Sequence, residues 1–228
     1  MSKRGILICF CSINGAGKTT IINKLLEKFN NEETIFYSFK FPNRKTIIGN
    51  KIDKILKKEI IVDEMTKLKF FADNRQEFNN EITKLLKEGK NVILDRFVYC
   101  SLAYTMTNQI QQILKMENVN NEFCNLSFNK MLSYDKKLPK PDLTFVIDGN
   151  FLNLRNEEKQ LYHNDDTTFQ ELIKNNYIIS LQNTFSNYTV IKNNYGEEEL
   201  KKTITKVFNH ITKLLNNNDL LHSKINRF

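Results

Sequence analysis

One stretch near the start constrains the fold of this 228-residue chain more than any other. An almost continuous apolar run, Gly5–Cys11, predicts a buried strand, and a glycine-containing segment, Ser12–Thr20, follows it directly. A stripe at the spacing of one helix face comes next, at Ile21, Ile22, Leu25, Leu26 and Phe29. A strand, a tight loop and a helix in this order predict an α/β fold with an anion-binding loop at the helix N-terminus.

Further short apolar runs alternate with helical patterns along the rest of the chain. The other predicted strands are Thr34–Phe39, Asn91–Asp95, Leu143–Asp148 and Tyr188–Ile191. A second helical stripe lies near the end, at Leu200, Ile204, Val207, Phe208, Ile211 and Leu214. Alternation of this kind indicates a parallel sheet with right-handed crossovers. We therefore predict one α/β domain over residues 1–228, with a five-stranded parallel sheet flanked by helices on both faces.

Two segments fit this pattern less well. Residues 105–126 are polar and are expected to form a helix and a loop insertion, and residues 216–228 are expected to be a frayed tail. The hydrophobic fraction of 40% excludes intrinsic disorder, and no apolar run is long enough to suggest a membrane partner. The net charge of +8 is spread among acidic neighbours rather than gathered in a block, so no nucleic-acid partner is predicted.

The four cysteines predict a reducing environment. Cys9, Cys11, Cys100 and Cys124 are too few and too scattered for a disulfide scaffold, and no metal-ligand spacing accompanies them. We expect reduced core thiols and a cytoplasmic protein. The first strand begins so early that no signal peptide is visible.

The glycine-containing segment has the residues of a phosphate-binding loop. In the order Ser-Ile-Asn-Gly-Ala-Gly-Lys-Thr-Thr, Gly17 lets backbone amides close around phosphate oxygens, Lys18 can reach the β and γ phosphates of ATP, and the Thr19 hydroxyl can ligate Mg²⁺. An ordinary glycine-rich turn is the alternative. The expected ATP-binding residues are Ser12, Asn14, Gly15, Ala16, Gly17, Lys18, Thr19 and Thr20.

An acid and a base end the third predicted strand. Asp95 suits the second Mg²⁺ position beside Thr19, and Arg96 can neutralise a further phosphate group. A salt bridge at the strand end is the alternative reading of this pair. With the phosphate loop present, we predict that Lys18, Asp95 and Arg96 are catalytic.

Further segments point to a particular family. Phe41-Pro42-Asn43-Arg44, the helical Phe71–Arg75, Asp95–Tyr104 and Leu138–Asp142 occur in the order and spacing of thymidylate kinases, which phosphorylate dTMP with ATP. Together with the phosphate loop, these segments make the chain resemble that family from about residue 5 to residue 170. The resemblance implies a P-loop NTPase domain, a dTMP substrate and a homodimer.

The resemblance also implies roles for individual residues. Arg44 and Arg96 would hold the phosphate of dTMP, Phe71 would stack on thymine, Arg75 would donate to its carbonyl edge, and Tyr104 would pack on the deoxyribose. Phe41 and Ser101 complete the expected substrate-binding set.

A lid segment is expected at about 150–168. In members with glycine at the position of Gly15, the lid supplies a basic residue that contacts the phosphates. The resemblance therefore implies that Arg155 is catalytic, and it raises the importance of Lys159.

The phosphate loop departs from the family at three positions. Cys11 and Asn14 replace acids, and Ser12 replaces a glycine. We expect Ser12 to constrain φ at the turn. Asn14 stands where the family has an acid that contacts the sugar 3′-hydroxyl, so a loss of about 1 kcal/mol is expected there.

Three other functions remain open at this point. A deoxynucleoside kinase would have less use for Arg44, and a degenerate kinase acting as a nucleotide-binding module would not need the retained Lys18, Thr19, Asp95 and Arg96. A basic nucleic-acid-binding protein is the third, and no module for it is recognisable.

Overall fold

Five parallel strands form a single sheet at the centre of the computed structural model, which describes residues 4–115, 127–149, 167–194 and 196–225. The strands are β1 (Leu7–Ser12), β2 (Phe36–Lys40), β3 (Asn91–Asp95), β4 (Leu143–Gly149) and β5 (Tyr188–Asn193). Their order across the sheet is β2-β3-β1-β4-β5. All five predicted strands are confirmed, with bounds shifted by two residues or fewer.

Helices connect the strands and cover both faces of the sheet. In the described residues they are α1 (Lys18–Asn31), α2 (Ile47–Leu56), α3 (Glu64–Gln76), α4 (Asn79–Lys87), α5 (Val98–Lys115), α6 (Phe128–Ser133), α7 (Thr167–Asn183) and α8 (Glu197–Ile225). Helix α1 packs beside α8, and α5 packs beside α7. The predicted doubly covered parallel sheet is therefore confirmed.

The register of the central strands brings their carboxyl ends to one edge of the sheet. Phe10 of β1 lies beside Asp95 of β3, and Ser12 lies beside Ile147 of β4. In open α/β sheets ligands bind outside this edge, because loops and helix N-termini converge there. The phosphate loop and Asp95 thus end on the same side.

Local signals explain where several helices begin. Thr46 accepts the backbone N–H of Gly49 before α2, and Asp63 accepts that of Thr66 before α3. Each side chain satisfies a donor that the first helical turn leaves open. In α1, by contrast, the preceding residue is Gly17 in a left-handed conformation and no side chain caps the helix. The first amides of α1 therefore keep their donors for another acceptor.

Helices occupy the described parts of the two segments, 105–126 and 216–228, that fitted the strand-and-helix pattern less well. Helix α5 extends to Lys115, into the segment where a helix and a loop insertion were expected, and residues 116–126 lie outside the described part of the chain. Where a frayed tail was expected, α8 runs across Asn216 and its neighbours to Ile225. A polar asparagine run remains compatible with a helix that is exposed on one side.

The cysteines lie in the core beneath the phosphate loop. Cys9, Cys11 and Cys100 are free and buried. The Sγ atom of Cys11 lies 3.8 Å from that of Cys9 and 3.5 Å from that of Cys100. Burial raises the pKa of the Cys11 and Cys100 thiols, which keeps them protonated. The prediction of reduced core thiols is confirmed for these three residues, while Cys124 lies outside the described ranges.

Candidate active site

The loop between β1 and α1 takes its shape from two glycines. Gly15 and Gly17 have φ values of 75° and 83°, in the left-handed region that side chains disfavour. Ser12 is the last residue of β1, and the positive φ values among the described residues do not include it. The expected backbone constraint at Ser12 is therefore absent, because the loop turns after this residue rather than at it.

The ends of β4 and β5 pack directly against the loop. The Asn193 side chain donates from Nδ2 to the carbonyl oxygen of Ala16 at 2.9 Å, and a Cβ on Gly149 would lie only 2.8 Å from the same oxygen. The C=O and N–H of a trans peptide point in opposite directions. Holding the Ala16 carbonyl on Asn193 therefore turns the N–H of Gly17 away from the sheet, which is the orientation that an anion needs.

Lys18, Thr19 and Asp95 form a compact group at the start of α1. The Lys18 ammonium pairs with Oδ1 of Asp95, and the Thr19 hydroxyl donates to Oδ2 at 3.3 Å. Lys18 and Asp95 are 5% and 3% exposed, so their charges interact with little screening by water. Lys18 and Thr19, which follow β1, therefore contact Asp95 at the end of β3.

The electrostatics of this group favour an anion. Burial lowers the pKa of Lys18, and the positive charges of Arg96 and Lys40 lower it further. A phosphate oxygen beside Lys18 would offset both effects by stabilising the ammonium. The Thr19 hydroxyl and the Asp95 carboxylate are hard oxygen ligands on one side of the group, and Mg²⁺ commonly takes one or two such ligands together with substrate phosphates. These residues fit Mg²⁺.

Arg96 follows Asp95 in the chain and reaches back over the loop. Its φ is 67°, an unusual value for an arginine, and such backbone strain often accompanies function. The guanidinium donates to the carbonyl oxygen of Ser12 at 2.9 Å and to Oδ1 of Asn14 at 2.5 Å. Tyr177 of α7 donates to the same Ser12 carbonyl at 3.0 Å. All of these acceptors are neutral, so the charge of Arg96 remains to attract an anion.

Arg75 occupies a different environment at the other end of the site. It is 1% exposed and makes two hydrogen bonds with the Asp135 carboxylate, from Nε at 2.9 Å and from Nη2 at 2.7 Å. Its Nη1 donates to the Ser101 hydroxyl at 2.7 Å. The structure therefore joins two residues of the predicted substrate set, Arg75 and Ser101, through direct contact.

The other predicted substrate residues make their described contacts elsewhere or are only partly buried. Arg44 forms an ion pair with Asp53 of α2 at 2.8 Å and is half exposed. The Phe41 ring is 3% exposed and packs against Phe78 and Phe97, so its contacts are those of a core residue. Phe71 and Tyr104 are half-buried. Thr20 of the loop is exposed, and Arg155 and Lys159 of the expected lid lie outside the described ranges.

Three residues near the site were not identified from the sequence. Asp135 and Asn193 contact predicted residues, as described above, and Tyr177 contacts both Ser12 and Arg96. The sequence carries no local signal for these residues, because each acts on an element far away in the chain.

The phosphate loop after β1 and the Lys18–Asp95 pair beside it form the phosphate-binding arrangement of P-loop nucleotide-binding proteins. Comparison with known proteins narrows this class. A family profile described as Thymidylate kinase matches residues 13–204. The chain belongs to the thymidylate kinase family.

Individual relatives agree with this assignment. The chain is 27% identical over 218 residues to a protein named Thymidylate kinase from Dictyostelium discoideum, a match covering 91% of this chain and 86% of that protein. The solved thymidylate kinase of Candida albicans superimposes with a TM-score of 0.70 at 25% identity, over 96% of this chain and 95% of that one. The Ehrlichia chaffeensis enzyme, at 21% identity, shares the fold with a TM-score of 0.67 over 92% and 99% of the two chains.

Proposed function

We propose that the protein transfers the γ-phosphate of ATP to the 5′-phosphate of dTMP, giving dTDP and ADP. Membership of the thymidylate kinase family supports this reaction. The observation that carries it is the placement of two cations at one loop. Lys18 pairs with Asp95, and Arg96, the next residue, bonds to Ser12 at the start of that loop. Two adjacent cations suit a donor phosphate and an acceptor phosphate.

The donor side of the site is built on the phosphate loop. The backbone amides of residues 12–20 and the Lys18 ammonium would bind the phosphates of ATP at the uncapped N-terminus of α1. Thr19 and Asp95 would hold Mg²⁺, which neutralises charge on the transferred phosphoryl group when bound. Asn193 would support this side by fixing the Ala16 carbonyl.

The acceptor side spans Arg96 to Arg75. Arg96 would bind the dTMP phosphate, and Arg75 would donate to the thymine carbonyl edge, with Phe71 against the ring and Tyr104 against the deoxyribose. Arg44, which is half exposed, would join the phosphate by leaving its ion pair with the half-buried Asp53, a carboxylate that keeps Lys57 as its other partner.

A neutral amide completes the acceptor side. Asn14, which accepts from Arg96, would bind a polar group of the nucleoside. Arg155 and Lys159 of the lid would approach the phosphates from the other side.

This arrangement suits phosphoryl transfer between two phosphates. A phosphate monoester is already a nucleophile, so the protein needs to align it and neutralise charge rather than remove a proton. The groups at hand are Lys18, Arg96 and the loop amides, which do both. No strong general base is needed.

Measurement of ADP release from ATP and Mg²⁺ with dTMP, thymidine, dUMP and dCMP offered separately tests the proposal. Turnover with dTMP as the best acceptor supports it, and Asp95→Asn, which keeps the shape but removes the charge, should abolish that turnover. Preference for thymidine would instead identify a deoxynucleoside kinase. Calorimetric binding of ATP and dTMP without turnover would identify a nucleotide-binding module.

We also propose a homodimer located in the cytoplasm and without a nucleic-acid partner. The free thiols of Cys9, Cys11 and Cys100 support a reducing compartment. In the described residues, no helix has the length and apolarity needed to span a bilayer. Light scattering of the purified chain would test the dimer, since a mass near 26.9 kDa would contradict it.

A further inference from the structure

The strongest unassigned feature is the acid behind the predicted base-reading arginine. Asp135 follows α6 and is 5% exposed, and its two carboxylate oxygens each accept one hydrogen bond from Arg75. The side chains of this ion pair are each 2% exposed. An isolated charge at such depth is strongly disfavoured, so each partner depends on the other.

The pair leaves a defined set of donors for a ligand. A guanidinium has five N–H donors in a fixed plane. Asp135 takes two of them and Ser101 takes a third, which leaves one hydrogen on each terminal nitrogen of Arg75. The charge of the arginine is already balanced. The group therefore offers donors without the net charge that would attract an anion.

The position of the pair relates it to the phosphate-binding end. Ser101 lies in the first turns of α5, five residues after Arg96, and Arg75 lies on α3 at i+4 from Phe71. A nucleotide whose phosphate is held by Arg96 would therefore have its base near α3 and the start of α5.

We propose that Asp135 is a specificity-determining positioning residue that acts through Arg75. This inference rests on the proposed dTMP kinase activity. Asp135 holds the guanidinium as a charge-balanced pair of donors, which selects a base edge that carries a carbonyl oxygen and rejects one that carries an amine. The carbonyl oxygen of a 4-oxopyrimidine can accept hydrogen bonds from Arg75. The 4-amino group of cytosine is itself a donor, so it cannot bond to these N–H groups and would repel them.

Asp135→Asn tests the proposal with little change in volume. The amide keeps one acceptor but turns an N–H toward Arg75, so the two-point pairing is lost and the arginine charge is no longer balanced. We expect the KM for dTMP to rise about tenfold or more and the preference for dTMP over dCMP to fall by a similar factor. The KM for ATP, whose site uses none of these residues, should stay within about twofold.

Two further variants serve as matched comparisons. Asp73→Asn makes the same chemical change at a partly exposed acid of α3 that pairs with Lys69, so it should keep the dTMP preference within about threefold. Asp135→Glu keeps the charge and should recover part of the preference. A parallel change of both KM values in Asp135→Asn, with the dTMP preference intact, would overturn the proposal and leave Asp135 a purely structural residue.

Loss of folding in Asp135→Asn is covered by a double variant. Arg75→Met with Asp135→Met replaces the buried pair by apolar groups, a change that folded proteins often tolerate. This protein should fold and bind dTMP and dCMP with equal, weakened affinity by calorimetry, and a retained preference for dTMP would contradict the role of the pair. Failure of the unmodified protein to bind or phosphorylate dTMP would refute the proposed function itself and this inference with it.

Discussion

Arg96 and Arg75 lie in opposite electrostatic environments at the two ends of the same site. We call these the phosphate end, with Lys18, Asp95 and Arg96, and the base end, with Arg75, Ser101 and Asp135. Arg96 bonds to the Ser12 carbonyl, the Asn14 amide and the Tyr177 hydroxyl, which are all neutral. Arg75 bonds to a carboxylate through two atoms and to the Ser101 hydroxyl. The first arginine keeps a net charge for an anion, and the second keeps only directed donors.

This difference shows how one residue type can serve two kinds of recognition. Attraction of a phosphate depends mainly on charge, which is strong where water is excluded. Recognition of an uncharged base depends on the direction of hydrogen bonds, and net charge would favour the wrong ligands. The partners of each arginine, rather than the arginine itself, set the kind of ligand that it binds.

The largest expected effect is at the phosphate end. Lys18→Met removes the cation that faces the transferred phosphoryl group, so kcat should fall by about 10² to 10³-fold. The base end is untouched, and dTMP should bind with an affinity within about threefold of the unmodified protein. Steady-state kinetics and calorimetry check the two parts. A kcat within a few-fold of the original would show that the loop amides alone bind the phosphates.

A paired substitution tests the contrast between the arginines. Arg96→Met should weaken binding of dTMP about a hundredfold but leave the weaker binding of thymidine almost unchanged, because only the first ligand carries a phosphate. Arg75→Met combined with Asp135→Met, which leaves no unpaired buried charge, should weaken both ligands by a similar factor. Calorimetry with the two ligands gives the four values. If Arg96→Met weakened the binding of thymidine as much as that of dTMP, Arg96 would not be specific for the phosphate, and the contrast with Arg75 would be refuted.

The phosphate end could be predicted from the sequence because its parts are local. The loop, Lys18 and Thr19 are consecutive with β1 and α1, and Asp95 is brought to them by the pairing of two adjacent apolar strands. The fold class followed from the same alternation of strands and helices. Among the described residues, the strand ends differ from the prediction by two residues or fewer, and α8 runs on where a frayed tail was expected.

The base end could be predicted only in part. The resemblance gave Arg75 and Ser101, but Asp135 comes from a turn 60 residues beyond Arg75, and no spacing rule connects the two. Tyr177 likewise reaches Ser12 and Arg96 from α7, and a lone tyrosine in a helix has no distinctive sequence pattern. Phe41, another predicted substrate residue, packs against Phe97 in the core, and its role remains a prediction.

The two ends should also differ in their response to pH. Because burial and nearby positive charge lower the pKa of Lys18, this lysine begins to lose its proton below the usual range for lysine. Phosphates prefer the protonated form, so the KM for ATP should rise as the pH is raised from neutral through the lowered pKa of Lys18.

An arginine at the same position provides the control. Lys18→Arg carries a group that does not titrate in this range, so its KM for ATP should be flat with pH even if its activity is lower. The arginines of the acceptor side do not titrate either. A KM for ATP that rises equally in the original and in Lys18→Arg would assign the pH dependence to another group.

The smallest expected effect is at Ser12, where the chain departs from the usual phosphate loop. Because the loop turns at Gly15 and Gly17 and not at this residue, Ser12→Gly should change kcat by no more than about threefold. The added backbone freedom should lower the free energy of unfolding by about 0.5–1 kcal/mol. The Ser12 hydroxyl is buried without a hydrogen-bond partner in the described part of the chain, so Ser12→Ala should instead raise that free energy by about 1 kcal/mol. Urea unfolding of the two variants separates these effects. A large gain in kcat for Ser12→Gly would show that the serine does restrict the loop, and that the two glycines do not account for its shape by themselves.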